Sequence, residues 1–252
     1  MFQSDAVLVE RRPVARDTWV LAFDAPEIAA ATSPGQFVEI GLRGPLLRRP
    51  FSIYRAGGGR VEVILKGVGA GTSLLCEMRV GDPVSLLGPL GHGFEIDPGW
   101  RRVGLVSGGL GVAALPLAAE ALRRSGVSVL WAHGARSAAD LCSEWTGDEV
   151  LWATEDGSQG YTGRVLDALP EGLDGILACG PNAMLAAVAT RWPAAQVALE
   201  TYMGCGTGVC LGCAVPRSAG GYDRACKEGP VYRAADVDWP ALPSRMHYAV
   251  DR

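Results

Sequence analysis

Three cysteines stand at C-x4-C-x2-C spacing in "GCGTGVCLGC", residues 204–213, and a fourth follows thirteen positions later in "YDRACKEGP". Structural zinc usually takes two C-x2-C knuckles, or two cysteines with two histidines. C-x4-C-x2-C with a distant fourth cysteine is instead the plant-type ferredoxin spacing. Histidine does not complete the set, because His92, His133 and His247 all lie away from the run. The intervening residues sharpen the reading: Gly204, Gly206, Gly208 and Gly212 let the backbone approach an inorganic core and turn N–H groups toward sulfur. The spacing predicts a [2Fe-2S] cluster on Cys205, Cys210, Cys213 and Cys226, with structural zinc and unliganded buried thiols as the competing readings. A disulfide framework is disfavoured. Seven cysteines is an odd number, and "MFQSDAVLVERRPVARD" carries charges where a secretory leader needs an apolar run, so a reduced, cytoplasmic chain is expected.

A second chemistry is written in glycine turns. "GLGVAA", Gly109 to Ala114, fits G-x-G-x-x-A after a strand-like run and before a helical one, a place where pyrophosphate can approach the backbone at a helix N-terminus. Alone the pattern is weak, since a glycine turn can merely pack strand against helix. It gains weight from "ACGP", Ala178 to Pro181, where another strand ends in small residues at the same expected crevice. No acidic residue closes "VSVLWAHGARS" to hold a ribose hydroxyl, which leaves NAD against NADP open. Earlier in the chain, "LRRPFSIYR" offers Arg49 for a phosphate and Ser52 for a ring nitrogen, and "LKGVGAGTSLL" offers a glycine-rich turn with Thr72. The latter is no P-loop, because Lys66 precedes the glycines and no Gly-Lys-Ser/Thr follows them. G-x-S-x-G and H-E-x-x-H are absent, which removes the common hydrolase signatures.

The elements that must carry these residues follow from periodicity. At 252 residues, 48% hydrophobic and 20% charged, the chain is long enough for two cores and a small appendage. Up to about residue 98, short β-branched or alternating runs ("AVLVERRPVA", "TWVLAFDAP", "GQFVEIGL", "RVEVILKGV", "DPVSLLGPLG") are divided by Pro, Gly and Asp turns, the pattern of an antiparallel barrel. From Arg101 strands alternate with the helix-like runs "VAALPLAAEALRRSG", "SAADLCSEW", "GRVLDALP" and "NAMLAAVATRW", which implies a parallel sheet covered by helices. A last strand, "QVALETY", leads into the cysteines. The expected division is a barrel over 1–98, a nucleotide-binding α/β domain over 99–200 and a cluster module over 201–252. The seventeen uncharged residues 103–119 approach membrane-spanning length, but four glycines, a serine and Pro116 divide them into strand, turn and helix. A net charge of −4 and basic residues scattered in pairs give no stripe for nucleic acid.

Together, "RPFSI" and "GAGT", "GGLGVA" and "CGP", then "CGTGVCLGC" and "YDRACKEGPVY" resemble the electron transfer subunits of NAD-dependent, B-type dihydroorotate dehydrogenases. The wider relatives are the ferredoxin-NADP reductase-like flavoproteins. The resemblance spans essentially the whole chain. It implies FAD on Arg49, Pro50, Phe51 and Ser52, on the strand Ile64, Leu65 and Lys66, and on Gly71 and Thr72. It implies NAD on Gly109, Gly111, Asp156, Gly157, Cys179 and Gly180. It also implies a partner, the FMN-containing catalytic subunit of pyrimidine biosynthesis, in a heterotetramer of two of each chain, and leaves this chain no organic substrate site or catalytic residue of its own. Joining the cofactors gives an order: NADH delivers two electrons at once and a cluster takes one, so the flavin stands between them. Electron-transfer subunits of hydrogenases, sulfide reductases or ferredoxin-NADP transhydrogenases share these modules, and a zinc-binding adaptor is the alternative of another class.

Overall fold

The structure is a computed structural model that describes residues 1–42, 44, 46–142, 144 and 148–243. Alternation of apolar and polar side chains builds the first half into strands. β1 (Phe2–Ala15), β2 (Thr18–Asp24), β3 (Phe37–Gly41), β4 (Arg49–Gly57), β5 (Arg60–Lys66) and β6 (Pro83–Leu90) close into an antiparallel barrel in the order β1-β2-β5-β4-β3-β6. Glycine sets one corner. Gly58 and Gly59, at φ +56° and +78°, form the two-residue turn joining β4 to β5, a conformation that side chains resist. Helix α1 (Pro26–Ala31) follows β2, and α2 (Ala70–Glu77) follows β5. The barrel interior is filled by Leu8, Leu21, Phe23, Ile40, Ile53, Val63, Leu65 and Leu86.

The second half is a seven-stranded sheet. β7 (Arg102–Gly108), β8 (Ser128–Ala135), β9 (Glu149–Thr154), β10 (Tyr161–Thr162), β11 (Gly175–Cys179) and β12 (Gln196–Ala198) are parallel, in the order β10-β9-β8-β7-β11-β12. Strand alternation serves two cores: Val103 and Leu105 of β7 face one, and Val106 faces the other. Helix α3 (Pro116–Arg124) lies in the first with Val20, Tyr54 and Ile64 of the barrel, which joins the two halves through apolar contact. Helix α4 (Asn182–Arg191) covers the opposite face through Leu185 and Val188.

Three expectations change. "SAADLCSEW" and "GRVLDALP" form only 3-10 turns, Ala138–Asp140 and Val165–Ala168, too short in apolar period to nucleate a helix; Ser143 and Trp145 of the first lie outside the described residues. "QVALETY" pairs only to Ala198. The glycine-rich turn after β5 is instead the opening of α2.

The cysteine segment is sewn to the sheet. β13 (Ala214–Pro216) pairs with β14 (Tyr222–Arg224), and β15 (Val231–Arg233) adds antiparallel to β12 as the seventh strand. Cys213 and Cys226 thereby enter the same core as Val197, Leu199 and Phe37.

Candidate functional site: a thiolate loop beside two nucleotide turns

Backbone amides surround the cysteine sulfurs. Cys205 Sγ accepts N–H groups of Thr207 at 3.4 Å, Val209 at 3.3 Å and Cys210 at 3.4 Å. Gly208 N–H donates to Cys226 Sγ at 3.1 Å and Gly212 N–H to Cys210 Sγ at 3.4 Å. Such a nest favours sulfur carrying negative charge. Gly206 and Gly208 make it possible by turning the chain through φ of +66° and +84°. Cys213 and Cys226 sit 3.2 Å apart, sulfur to sulfur. Burial, aided by that shared proton, pushes the Cys226 thiol up to about 12, whereas at Cys205 burial is outweighed by the N–H groups of Cys210 and Thr207, which bring it down to about 6. The thiols thus divide two and two: half-buried Cys205 and exposed Cys210, linked by the loop amides, and buried Cys213 and Cys226, sharing a proton that a metal would replace.

Four thiols in two pairs, wrapped in amide donors, fit a binuclear iron-sulfur cluster. His92 lies outside the set: its Nδ1–H donates to Lys227 O at 2.6 Å, and its own N–H donates to Gly229 O at 2.6 Å. It ties the barrel to the cluster segment. His133 is buried in the sheet beside Ser107, and His247 lies outside the described residues.

The candidates for flavin come together at one end of the barrel, because antiparallel pairing puts the start of β4 beside the end of β5, where α2 begins. Arg49 reaches across α2. A Cβ added to Gly71 would lie 2.6 Å from Arg49 Nε, so glycine makes room for the guanidinium there. Arg49 donates to Leu47 O at 2.6 Å and Arg48 O at 3.2 Å, while Arg48 is held by Ser85. A cation over a helix start suits a diphosphate. Thr72 Oγ1 accepts from the N–H groups of Val68 and Gly69 and donates to Gly69 O, which commits the hydroxyl to shaping the turn. Pro50, Phe51 and Ser52 are half-buried along β4. Leu65 points into the barrel core and Ile64 into the core shared with α3, so β5 can offer a ligand only backbone there. Lys66 Nζ faces Asp140 of the sheet domain at 3.9 Å.

The nucleotide turns gather at the C-terminal ends of the parallel strands. Gly109, at φ +53°, has open space where a side chain would stand. Gly111 is different. A Cβ there would lie 2.1 Å from Cys179 O, so this glycine lets the turn pack on β11. The turn is a 3-10 helix, Gly109–Ala114, and α3 starts only at Pro116, so the expected α-helical N-terminus stands one turn further on. Gly180 packs on Gly108 and Met184, and Cys179 is buried. Asp156 and Gly157 follow β9, two strands away from β7 at the same end; the Asp156 carboxylate accepts the hydroxyl and N–H of Ser158 and is held below its usual range by them. An open glycine turn at this sheet edge fits a dinucleotide.

Comparison with known proteins supplies what geometry alone does not. The family model for the iron-sulfur cluster binding domain of dihydroorotate dehydrogenase B matches residues 200–238. The dihydroorotate dehydrogenase B (NAD(+)) electron transfer subunit of Geobacillus thermodenitrificans is 39% identical over 91% of this chain and 96% of its own length. The chain belongs to the family of dihydroorotate dehydrogenase B electron transfer subunits. The Desulforamulus reducens member of that family is 36% identical over 93% of this chain and 98% of its own. Among solved structures, one of an NADH-dependent reduced ferredoxin-NADP oxidoreductase, described for flavin-based electron bifurcation, superposes with a TM-score of 0.87 at 31% identity, covering 95% of this chain and 91% of that one. Phthalate dioxygenase reductase, at 17% identity and a TM-score of 0.64 over 86% of this chain and 87% of its own, shares the fold.

Three further residues shape this family's cysteine loop here. Arg224 donates from its guanidinium to Gly208 O at 2.9 Å and pairs with Glu228, whose carboxylate also accepts Arg224 N–H at 2.8 Å. The sequence carries the signal for this clamp, an Arg and a Glu four apart around Cys226. Glu39 of β3 is fully buried, and a Cβ on Gly206 would lie 2.6 Å from its Cγ and 2.8 Å from its Oε1. Burial pushes its carboxyl up to about 7 against the pull of Arg48, with the Cys205 charge adding to the rise. Nothing in "GQFVEIGL" marks this glutamate, because only the fold brings β3 under residue 206.

Proposed function

We propose that this chain passes electrons between NAD(H) and a separate FMN-containing dihydroorotate-oxidising subunit, through FAD and a [2Fe-2S] cluster. The observation that carries the reading is the amide-lined division of four thiols in a chain of this family. Cys205, Cys210, Cys213 and Cys226 would hold the cluster. Arg49, Pro50, Phe51, Ser52, Gly71 and Thr72, with the backbone of Ile64 to Lys66, would hold FAD. Gly109, Gly111, Gly180 and Cys179, with Asp156 and Gly157 at the far side, would line the NAD crevice. When bound, the flavin supplies the conversion of a two-electron hydride into single electrons.

The residues of the chain do the positioning. Gly71 leaves room for Arg49 to neutralise phosphate, and Thr72 fixes the turn that presents α2. The amides of residues 207–212 stabilise negative charge on sulfur at the protein surface, where a partner can take the electron. Val209 and Leu211 are largely exposed on that loop, giving an apolar rim. We place the three units at 1–98, 99–200 and 201–252, and the assembly as a cytoplasmic heterotetramer of two of each chain. Among the described residues no helix is long and apolar enough to cross a membrane.

The test is reconstitution. The purified chain should reduce an artificial acceptor with NADH and leave dihydroorotate untouched, and adding the FMN subunit should restore NAD-linked turnover. Dihydroorotate oxidation by the single chain would overturn the subunit reading. A second reading is favoured by the 0.87 superposition on the NADH-dependent ferredoxin-NADP oxidoreductase chain. Failure to complement the FMN subunit, with ferredoxin-linked turnover in its place, would select it.

A further inference from the structure

The barrel strand β3 carries a carboxyl where none is needed for folding. Glu39 has no exposed surface, and neither Oε1 nor Oε2 has a hydrogen-bond partner among the described residues. Leaving such a group unpaired costs about 1–3 kcal/mol, and an apolar residue of the same length would avoid the cost. The nearest cation does not relieve it. Arg48 sends Nη1 to Ser85 O at 3.0 Å and Nη2 to Ser85 Oγ at 3.0 Å, and meets Glu39 only at its backbone carbonyl, at 3.4 Å. What the carboxyl does face is the loop: it lies against Gly206, the residue after Cys205, so closely that any side chain at 206 would strike it. Gly206 must therefore be glycine twice over, for its φ of +66° and for Glu39.

A carboxylate at this spot, dry, unpaired and against the residue that follows Cys205, would be strongly unfavourable. A neutral carboxylic acid is different, since it brings one O–H donor that the loop amides do not supply from the barrel side. Hydrogen bonds to the sulfurs of an iron-sulfur centre stabilise its more negative, reduced form. We propose that Glu39 is a positioning residue of the barrel that donates a hydrogen bond to the Cys205 side of the cluster and makes the cluster easier to reduce. The inference rests on the assignment of the cluster to the four cysteines. It adds that the cluster's potential is set partly from the barrel, on which FAD is proposed to sit, rather than by the cysteine module alone.

The experiment compares Glu39→Gln with Glu39→Leu in the full chain, after iron and acid-labile sulfide have been counted in each. Potentials are read from the EPR signal of the reduced cluster at one pH. Glu39→Gln keeps a donor of the same reach and should leave the midpoint close to that of the parent. Glu39→Leu removes the donor and should move it to more negative potential. An unchanged midpoint in the Leu variant overturns the proposal, as does a large positive shift in the Gln variant, which would mean that a charged carboxylate had been removed. If the Leu variant folds without a cluster, the Gln variant decides the matter with selective 15N labelling of glutamine side chains. A 15N coupling to the reduced cluster supports contact, and its absence rejects it. The cysteine assignment is checked separately by Cys210→Ser, so a failure of the ligand set is not mistaken for a failure of Glu39.

Discussion

In the cysteine loop Gly206 and Gly208 turn through positive φ, and Gly208 presents its N–H to the Cys226 sulfur, whereas Gly111, in the turn after β7, has no such angle and is pressed against Cys179 O. Both stretches read as glycine-rich turns. One uses glycine for the conformations it permits, the other for the space it leaves. The difference teaches that a glycine pattern names a place where backbone matters without saying whether the backbone meets a ligand or another strand. It also separates two kinds of damage: faults in the loop should empty a site, and faults in the turn should weaken a fold.

The largest effect expected of that division is at Cys210. Cys210→Ser should lose the visible iron-sulfur absorption and the bound iron, because an alkoxide is a poor match for soft iron-thiolate ligation, while denaturant stability of the sheet changes little. Cys142→Ser is the control: that thiol is buried in the core around α3 and should retain full iron. Retention of iron and sulfide by the Cys210 variant would refute the ligand set. Gly111→Ala should do the reverse. Its Cβ would stand 2.1 Å from a backbone oxygen that cannot swing aside, so urea unfolding should show a loss of about 1–3 kcal/mol, with the iron content per folded molecule preserved. An unchanged midpoint would mean that the turn relaxes and that the comparison is drawn too sharply.

The smallest effect expected is a difference in acid sensitivity. His133 is enclosed by Ser107 and Trp152, and burial lowers its pKa to about 4 despite the Ser107 hydrogen bond. An unfolded histidine titrates near about 6.5. The unfolded chain therefore binds the proton first, so this contribution is present in full above that pH and falls as pH drops toward 4, with a slope of at most about 1.4 kcal/mol per pH unit. Glu228 behaves otherwise. Hydrogen bonds from Arg224 hold its carboxyl down to about 2, so its contribution is present in full above the usual carboxylate range and is lost as the pH falls from there through about 2. Between pH 6.5 and 4.5, acid should weaken the sheet and leave the Arg224 clamp intact. Urea midpoints of the parent and of His133→Gln across that window would show whether the slope belongs to this histidine.

Much of the candidate site was legible because the chemistry proposed for it is carried by local spacing. Four thiols at C-x4-C-x2-C with a distant fourth, or a glycine turn between a strand and a helix, are close in sequence because the backbone that carries them must curve around one object. The barrel and parallel sheet were legible for a related reason, since period-two alternation and strand-helix alternation are local patterns. Short helices were less so: "SAADLCSEW" and "GRVLDALP" have helical composition but too few turns to nucleate, and tertiary contacts left them as single 3-10 turns.

By itself the sequence determined the cluster chemistry, the fold class and the family, because each rests on residue type and spacing along the chain. Only the tertiary structure decided that β15 closes the parallel sheet, that Lys66 faces Asp140, that Gly111 serves packing, and that Glu39 lies beneath residue 206. These are contacts between residues from 68 to 167 positions apart, or, for β15, a pairing across the whole cysteine segment. A sequence pattern records which face of its own strand a residue occupies, and the partner across the interface is fixed only when separate elements pack.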